Sequence, residues 1–239
     1  MVRKYKHDDI TSYALGATLV MELMSRRPNA VRNIYISPKS DVTAVTDLAE
    51  RLGINVVESE KAFNILSPKG NCFVIAEFDK FASHISGDKH HVVLVNPSDS
   101  GNLGTIMRNV AAFEHYDLAV IRPSVDPFDP KTVRASMGAV FGINFEMFDS
   151  FDDYRNKFGE HAVVPFMLGG KPLSEYNFDG AKNYALVFGN EATGLDRDFF
   201  KYGAVEIEQS KNVDSLNLSV AASIGMYVAA HAADKIDKR

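Results

Sequence analysis

The sequence predicts an α/β protein in which a small N-terminal module precedes a larger domain built on a parallel sheet. Three observations carry that expectation. Short apolar runs such as His91-Val92-Val93-Leu94-Val95, Leu118-Ala119-Val120-Ile121 and Tyr184-Ala185-Leu186-Val187-Phe188 lack an in–out alternation, which suits strands buried on both faces. Stretches with helical spacing separate them, and strand–helix alternation implies a parallel sheet covered on both sides. A polar stretch over 79–89, containing Ser83, Ser86 and Gly87, divides this alternation from a shorter one before it.

In the N-terminal module, Leu15, Leu19, Leu23 and Met24 predict a helix over 13–27, ended by the breaker Arg27-Pro28-Asn29. A strand at 33–36, a helix at about 42–52, Gly53 and a strand at 54–57 follow. A short helix near 60–66 leads through Ser67-Pro68-Lys69-Gly70 to a strand at 72–76. We place this module at 1–80, a linker at 81–90 and the second domain at 91–239. The second domain opens with a strand at 91–95, a helix at about 105–113 and a strand at 118–121. Segments at 133–140, 162–168, 184–188 and 204–207 continue the pattern to a last helix at 216–231.

Composition narrows the class without naming the function. Apolar residues at 46% and charged residues at 24% are ordinary for a globular protein. No apolar run approaches the roughly 20 residues of a membrane helix. The first residues carry no apolar core or small-residue cleavage site, so export is not expected. The single Cys72 excludes an intramolecular disulfide and fits a reducing compartment, so the expected location is the cytoplasm. The net charge of −5 is unevenly spread: residues 1–40 hold seven basic and three acidic groups, residues 91–239 hold 14 and 20. A basic front on an acidic body can bind a phosphate backbone locally, yet a merely solvated surface reads the same way.

The usual nucleotide signatures are absent. No G-x-G-x-x-G follows a strand, and Gly101-Asn102-Leu103-Gly104-Thr105 lacks the spacing and lysine of a P-loop. The histidines form no metal-ligand spacing, and with one cysteine no metal site is expected. Three other segments stand out. In Asn96-Pro97-Ser98-Asp99-Ser100-Gly101-Asn102-Leu103-Gly104-Thr105-Ile106-Met107-Arg108 a strand runs through a polar loop into a helix. Asn102 on the loop and Arg108 a turn into the helix then face a common cleft, or serve only as a cap and a surface charge. In Ala185-Leu186-Val187-Phe188-Gly189-Asn190-Glu191-Ala192-Thr193-Gly194 a buried strand meets Glu191 between glycines. Glycine at 189 permits close approach of backbone to a ligand, or simply makes a turn. In Ser215-Leu216-Asn217-Leu218-Ser219-Val220-Ala221-Ala222 a polar loop enters a helix rich in small residues. Asn217 there is a site residue or a helix cap.

Taken in this order, the segments Asn-Leu-Gly-x-x-x-Arg, Phe-Gly-Asn-Glu-x-x-Gly and Ser-Leu-Asn-x-Ser-Val-Ala-Ala resemble the signature motifs of the SpoU (TrmH-like) family of RNA ribose 2′-O-methyltransferases, in the SPOUT superfamily. Arg134-Ala135-Ser136-Met137-Gly138-Ala139 resembles that family's Arg-x-Ser-x-Gly-Ala segment. The likeness covers about 90–232, and 13–80 more loosely resembles the L30e-like RNA-binding domain often fused ahead of it. The resemblance implies a SPOUT domain with a deep trefoil knot, a homodimer, S-adenosylmethionine as methyl donor and RNA as substrate, ribosomal more than transfer RNA. It makes Gly189, Ile207 and Leu216 the donor-binding positions. It makes Arg108, Asn102, Glu191, Ser215 and Asn217 the catalytic set. Arg108 engages the 2′-OH or its phosphate; its guanidinium, with a pKa above about 12, is a poor base, so a phosphate oxygen or water takes the proton. Asn102 holds ribose or donor, Glu191 orients Arg108 or Asn102, and Ser215 and Asn217 complete the hydrogen bonds. The last helix becomes a dimer surface or packs only within its own subunit.

The sequence departs from the family at three places. Ile207-Glu208-Gln209-Ser210-Lys211 stands where Ile-Pro-Met-x-Gly is common, Phe113-Glu114-His115 replaces Phe-Gly, and Lys69-Gly70-Asn71 replaces His-Gln-Gly. The first of these leaves open a non-catalytic RNA-binding or ribosome-assembly protein on the same fold. A small-molecule methyltransferase would suit the acidic charge but leaves the N-terminal module without a role.

Overall fold

The computed structural model describes residues 2–39, 41–67, 72–113, 116–178 and 182–232. Along the chain run β1 (Thr11–Leu15), α1 (Ala17–Arg26), β2 (Val31–Ile36), α2 (Thr43–Arg51), β3 (Val56–Glu58), α3 (Glu60–Leu66) and β4 (Val74–Asp79). Then come β5 (His90–Val95), α4 (Ser100–Phe113), β6 (Tyr116–Ile121), α5 (Pro130–Ala135), β7 (Phe145–Phe148) and α6 (Phe151–Lys157). The chain continues with β8 (Ala162–Pro172), β9 (Tyr184–Phe188), β10 (Val205–Glu206) and α7 (Leu218–Ala232). Two compact units form: Met1–Ala82 with Asp126–Gly142, and Ser83–Val125 with Ile143–Arg239.

The first unit holds a four-stranded sheet in the order β1-β4-β2-β3, with β4 antiparallel to both neighbours and β2 parallel to β3. The helix expected over 13–27 is in fact a strand and a shorter helix. Gly16, at φ 109, turns the chain between them in a conformation other residues resist. Pairing of Tyr13 and Ala14 with Glu77 and Ala76 of β4 buries both, a tertiary gain that outweighs local spacing. α1 keeps Leu19, Val20, Leu23 and Met24 buried. The strand expected at 72–76 starts two residues later, leaving Cys72 half-buried ahead of it. Burial raises the pKa of its thiol. Lys69-Gly70-Asn71 and Glu114-His115 lie outside the described residues.

The two compact units divide the stretch 81–90, expected as a linker, between them at 82/83, and they differ from the expected domains in a second place. Residues 126–142, expected within the second domain, belong to the first unit. Phe128 packs edge-on to Phe81 with centroids 4.9 Å apart, and Phe141 edge-on to Phe78 at 5.3 Å. The half-buried Asp126 carboxylate accepts from Lys80 Nζ at 2.9 Å and from the Tyr5 hydroxyl. The Arg134–Ala139 segment therefore sits in the first unit, with Ser136 buried at the end of α5. Long-range aromatic packing of this kind leaves no periodic trace in a sequence.

The second unit holds a six-stranded sheet, β10-β8-β9-β5-β6-β7, parallel throughout. β7 and α6 were not foreseen from the sequence. One face buries Val93, Ala119, Ile121, Ala185 and Val187 beneath Tyr154 and Phe158 of the α6 region. α4 and α7 pack against each other, joined by a 2.5 Å hydrogen bond from Asn109 Nδ2 to Ser223 Oγ. From β5 the chain moves outward through β6 and β7, then returns on the other side through β8 and β9. The order reverses between β5 and β9, so their carboxyl ends flank a crevice of the kind that binds ligands in parallel sheets.

Behind that crevice, at the amino end of β5, sits a buried histidine pair. His91 is fully buried and stacks on His161 with ring centroids 4.1 Å apart. Its Nε2 lies 2.9 Å from the Ser86 carbonyl and so donates, leaving Nδ1 to accept from Tyr154 Oη at 2.8 Å. The neutral ring is thus fully satisfied. Burial above all lowers its pKa from 6.5 to about 4. The unfolded chain therefore takes up this proton first as pH falls below 6.5, and stability is lost from there down to pH 4. We expect His91 to remove about 2 kcal/mol between pH 7 and pH 5. Urea unfolding at the two pH values checks this; equal unfolding free energies would contradict the neutral, buried ring.

Candidate active site

The site assembles at the carboxyl ends of β5 and β9. α4 begins at Ser100, five residues earlier than its expected start at 105. The Asp99 side chain accepts from the Asn102 amide at 2.8 Å, capping a first turn that contains Gly101. Asn102 is therefore helical, not a loop residue as the sequence suggested. At about 100° per residue, its six-residue spacing from Arg108 puts the two about 120° apart around the helix. Asn102 points to the loop after β9. Arg108 stands on the outer face with the exposed Thr105 and Ala112.

Glu191 is the hub. Its Oε2 accepts from the Ser98 amide at 3.0 Å and the Ser98 hydroxyl at 2.7 Å. Its Oε1 accepts from the Asp99 amide at 3.2 Å and from Asn102 Nδ2 at 3.1 Å. Asn102 Oδ1 in turn accepts from Asn217 Nδ2 at 2.9 Å. Asn217 also caps α7, its Oδ1 accepting from the Ser219 amide at 2.9 Å. One chain of side chains thus ties the loops after β5, β9 and β10 together. Burial pushes the Glu191 carboxyl up, but the bonds from Ser98 and Asn102 outweigh it and its pKa is lowered. The carboxylate stays ionised. A second strut, Asn190 Nδ2 to the Asn96 carbonyl at 2.8 Å, holds the β9 loop against the end of β5.

Beside this network opens a cavity of about 760 Å³, within the range of small-molecule sites. Gly189, Glu191, Ile207, Ser215 and Leu216 all line it. Asn102 and Asn217 do not line it; Asn102 bonds to Glu191, which does. Arg108 does not line it and makes no hydrogen bond or ion pair among the described residues. Gly189 also serves a close approach within the chain itself. A Cβ at this position would lie 2.2 Å from the Gly194 carbonyl carbon and 2.4 Å from the Leu195 nitrogen, so the backbone it admits is the chain's own.

Sequence reasoning missed several lining residues. Phe166 and Phe188 stack at 4.5 Å and, with Leu168, give the cavity a flat apolar wall. Glu206 and Asp214 add carboxylates, and Arg197 a cation. The Glu206 carboxylate accepts from the Gly169 amide at 2.7 Å. Gln209 lines the cavity with its Oε1 buried and without a hydrogen-bond partner among the described residues. The signal for Gln209 was its place in the segment that departs from the family pattern; the aromatics carried none. Among the described residues no group of His, Cys, Asp or Glu suits a metal, and no helix is long and apolar enough to cross a membrane.

Comparison with known proteins assigns the chain to a family. The profile of the SpoU rRNA Methylase family matches residues 89–227. The 23S rRNA (guanosine(2553)-2′-O)-methyltransferase RlmP of Bacillus subtilis is 25% identical over 217 residues, 89% of this chain and 85% of its own. An AdoMet-bound rRNA methyltransferase from Sinorhizobium meliloti superposes with a TM-score of 0.77 at 27% identity, covering 93% of this chain and 87% of that one. A structure described for 2-OH methylation of C/U34 on tRNA gives a TM-score of 0.58 at 27% identity, covering 63% of this chain and all of its own. The chain spans only 26% and 52% of the length of two further curated relatives that it matches at 31% and 29% identity. With more than half its length matched by the profile, this chain belongs to the SpoU rRNA methylase family.

Proposed function

We propose that this chain transfers the methyl group of S-adenosylmethionine to a ribose 2′-OH of structured RNA. The observation that carries the reading is the Glu191–Asn102–Asn217 network, which closes three loops around one cavity. The cavity fits the donor: an apolar aromatic wall suits a purine, while Glu191, Glu206 and Asp214 suit a cationic ligand. When bound, the donor supplies an already activated methyl group, so the chain's own task is alignment and help with the hydroxyl proton. Gly189, Ile207 and Leu216 shape the donor's seat, and Ser215 lines the same cavity. Glu191 and Asn217 act as positioning residues that fix Asn102. Arg108 grips the phosphate next to the target ribose through its planar fork, and a phosphate oxygen or water receives the proton.

Arg108 faces away from its own cavity, and a homodimer that carries it to the partner's cavity completes the site. α7 supports the pairing: Val220 and Tyr227 are exposed, Ile224 and Val228 half-buried, and together they form an apolar stripe. The match of residues 89–227 to the SpoU family supports a trefoil knot in the second unit. The basic balance of residues 1–40 supports an L30e-like RNA-binding role for the first, and the single Cys72 suits the cytoplasm. Ribosomal RNA is the favoured substrate. The RlmP relative aligns along both units, whereas the structure described for tRNA overlaps 63% of this chain with its whole length.

Incubation with methyl-labelled S-adenosylmethionine and total RNA tests the reading. We expect label in ribosomal RNA, and none in transcripts whose target 2′-OH is replaced by hydrogen. Label in those deoxy transcripts, or in no RNA at all, would overturn it.

A further inference from the structure

We propose that Gln209 reads the adenine edge of the methyl donor, which makes it a specificity-determining residue peculiar to the departing segment 207–211. The inference rests on the proposed donor reading of the cavity. Gln209 Oε1 is buried at the cavity wall with no hydrogen-bond partner among the described residues. Buried polar side-chain atoms are nearly always paired, so an orphan facing a cavity points to a ligand that donates to it. A carbonyl oxygen only accepts, so the ligand group must carry an N–H or O–H.

S-adenosylmethionine offers two kinds of N–H: the ammonium of its amino-acid end and the 6-amino group of its adenine. The ammonium has better partners, because the carboxylates of Glu191, Glu206 and Asp214 line the same cavity. A neutral amide two residues beyond Ile207, in a cavity with an aromatic wall, suits the neutral amino group of a flat base. An amide also carries its donor beside its acceptor. That pair matches the donor–acceptor pattern on the edge of adenine, as when Asn or Gln reads adenine in DNA. The common family residue at this position, Met, offers no such contact. At that position, then, the departing segment replaces a shape contact with a hydrogen bond.

Calorimetry on the full chain tests this with two probes: S-adenosylhomocysteine, and its analogue in which hydrogen replaces the purine 6-amino group. Wild type should bind the first about tenfold or more tightly than the second, because the analogue leaves Oε1 buried and unpaired. In Gln209→Met that ratio should fall to about two or less. In Gln209→Glu, whose carboxylate still accepts, it should persist. Equal binding of the two probes by wild type overturns the proposal without any variant having to fold. So does discrimination that survives in a folded Gln209→Met. If wild type binds neither probe, the donor reading of the cavity fails, and this inference falls with it.

Discussion

Arg108→Ala is expected to lower methyl transfer to RNA by at least about a hundredfold while leaving S-adenosylhomocysteine binding nearly unchanged. The separation follows from where the residue stands. Arg108 lies on the outer face of α4, does not line the cavity and holds nothing in its own chain among the described residues. Its removal disturbs neither the Glu191–Asn102–Asn217 network nor the buried side of the helix, where Leu103, Ile106, Met107 and Val110 pack. Exposed substitutions of this kind change stability by about 0.5 kcal/mol or less. What is lost is a positioned charge acting on the reacting group, and removal of one such donor typically costs about 10²–10³ in rate. Arg108→Lys should rescue little, since a point charge cannot reproduce a bidentate grip on phosphate. Single-turnover methylation beside donor calorimetry makes the comparison. Turnover retained in Arg108→Ala would remove the residue from the mechanism; donor affinity lost in parallel would mean that it supports the cavity instead.

The same residue shows how far the sequence could be read. The parallel sheet was legible because β5, β6 and β9 are continuous apolar runs whose burial on both faces needs no long-range knowledge. The three motif segments were legible as strand ends opening into polar loops, and five of the eight residues singled out line one cavity. Their mutual arrangement was not legible. Asn102 looked like a loop residue because two glycines surround it, yet the Asp99 cap starts the helix ahead of them. With Asn102 on the same helix, the six-residue spacing puts Arg108 about 120° around the axis from it. β1 was hidden for a related reason: Leu15 continues the helical spacing of Leu19 and Leu23, and only pairing with β4, some 60 residues away, makes it strand. The 126–142 excursion likewise depends on Phe78 and Phe81, whose aromatic partners lie far along the chain.

Gly189→Ala should be the most damaging single-atom addition in the site, and for a reason the motif alone conceals. In the sequence, glycine after a buried strand reads as room for a ligand. In the structure the chain itself also presses on that position: the added Cβ would meet Gly194 C, Leu195 N and Gly194 O at 2.2, 2.4 and 2.5 Å. Carbon atoms in contact prefer about 3.5–4.0 Å, and these neighbours are backbone, with no rotamer through which to retreat. The loop 189–195 must therefore open. Glu191 moves with it and loses its bonds to Ser98 and Asn102. Overpacking on this scale costs about 3 kcal/mol or more, which lowers Tm by roughly 6–12 °C in a chain of this size. Gly194→Ala provides the contrast. Gly194 has φ +68 and open space around its Cβ position, so only the left-handed backbone opposes a side chain there, at a cost of about 1 kcal/mol. A melting point for Gly189→Ala close to that of Gly194→Ala, with donor binding intact in both, would mean that the tight turn yields easily. The loop would then not be the rigid frame on which the placement of Glu191 depends.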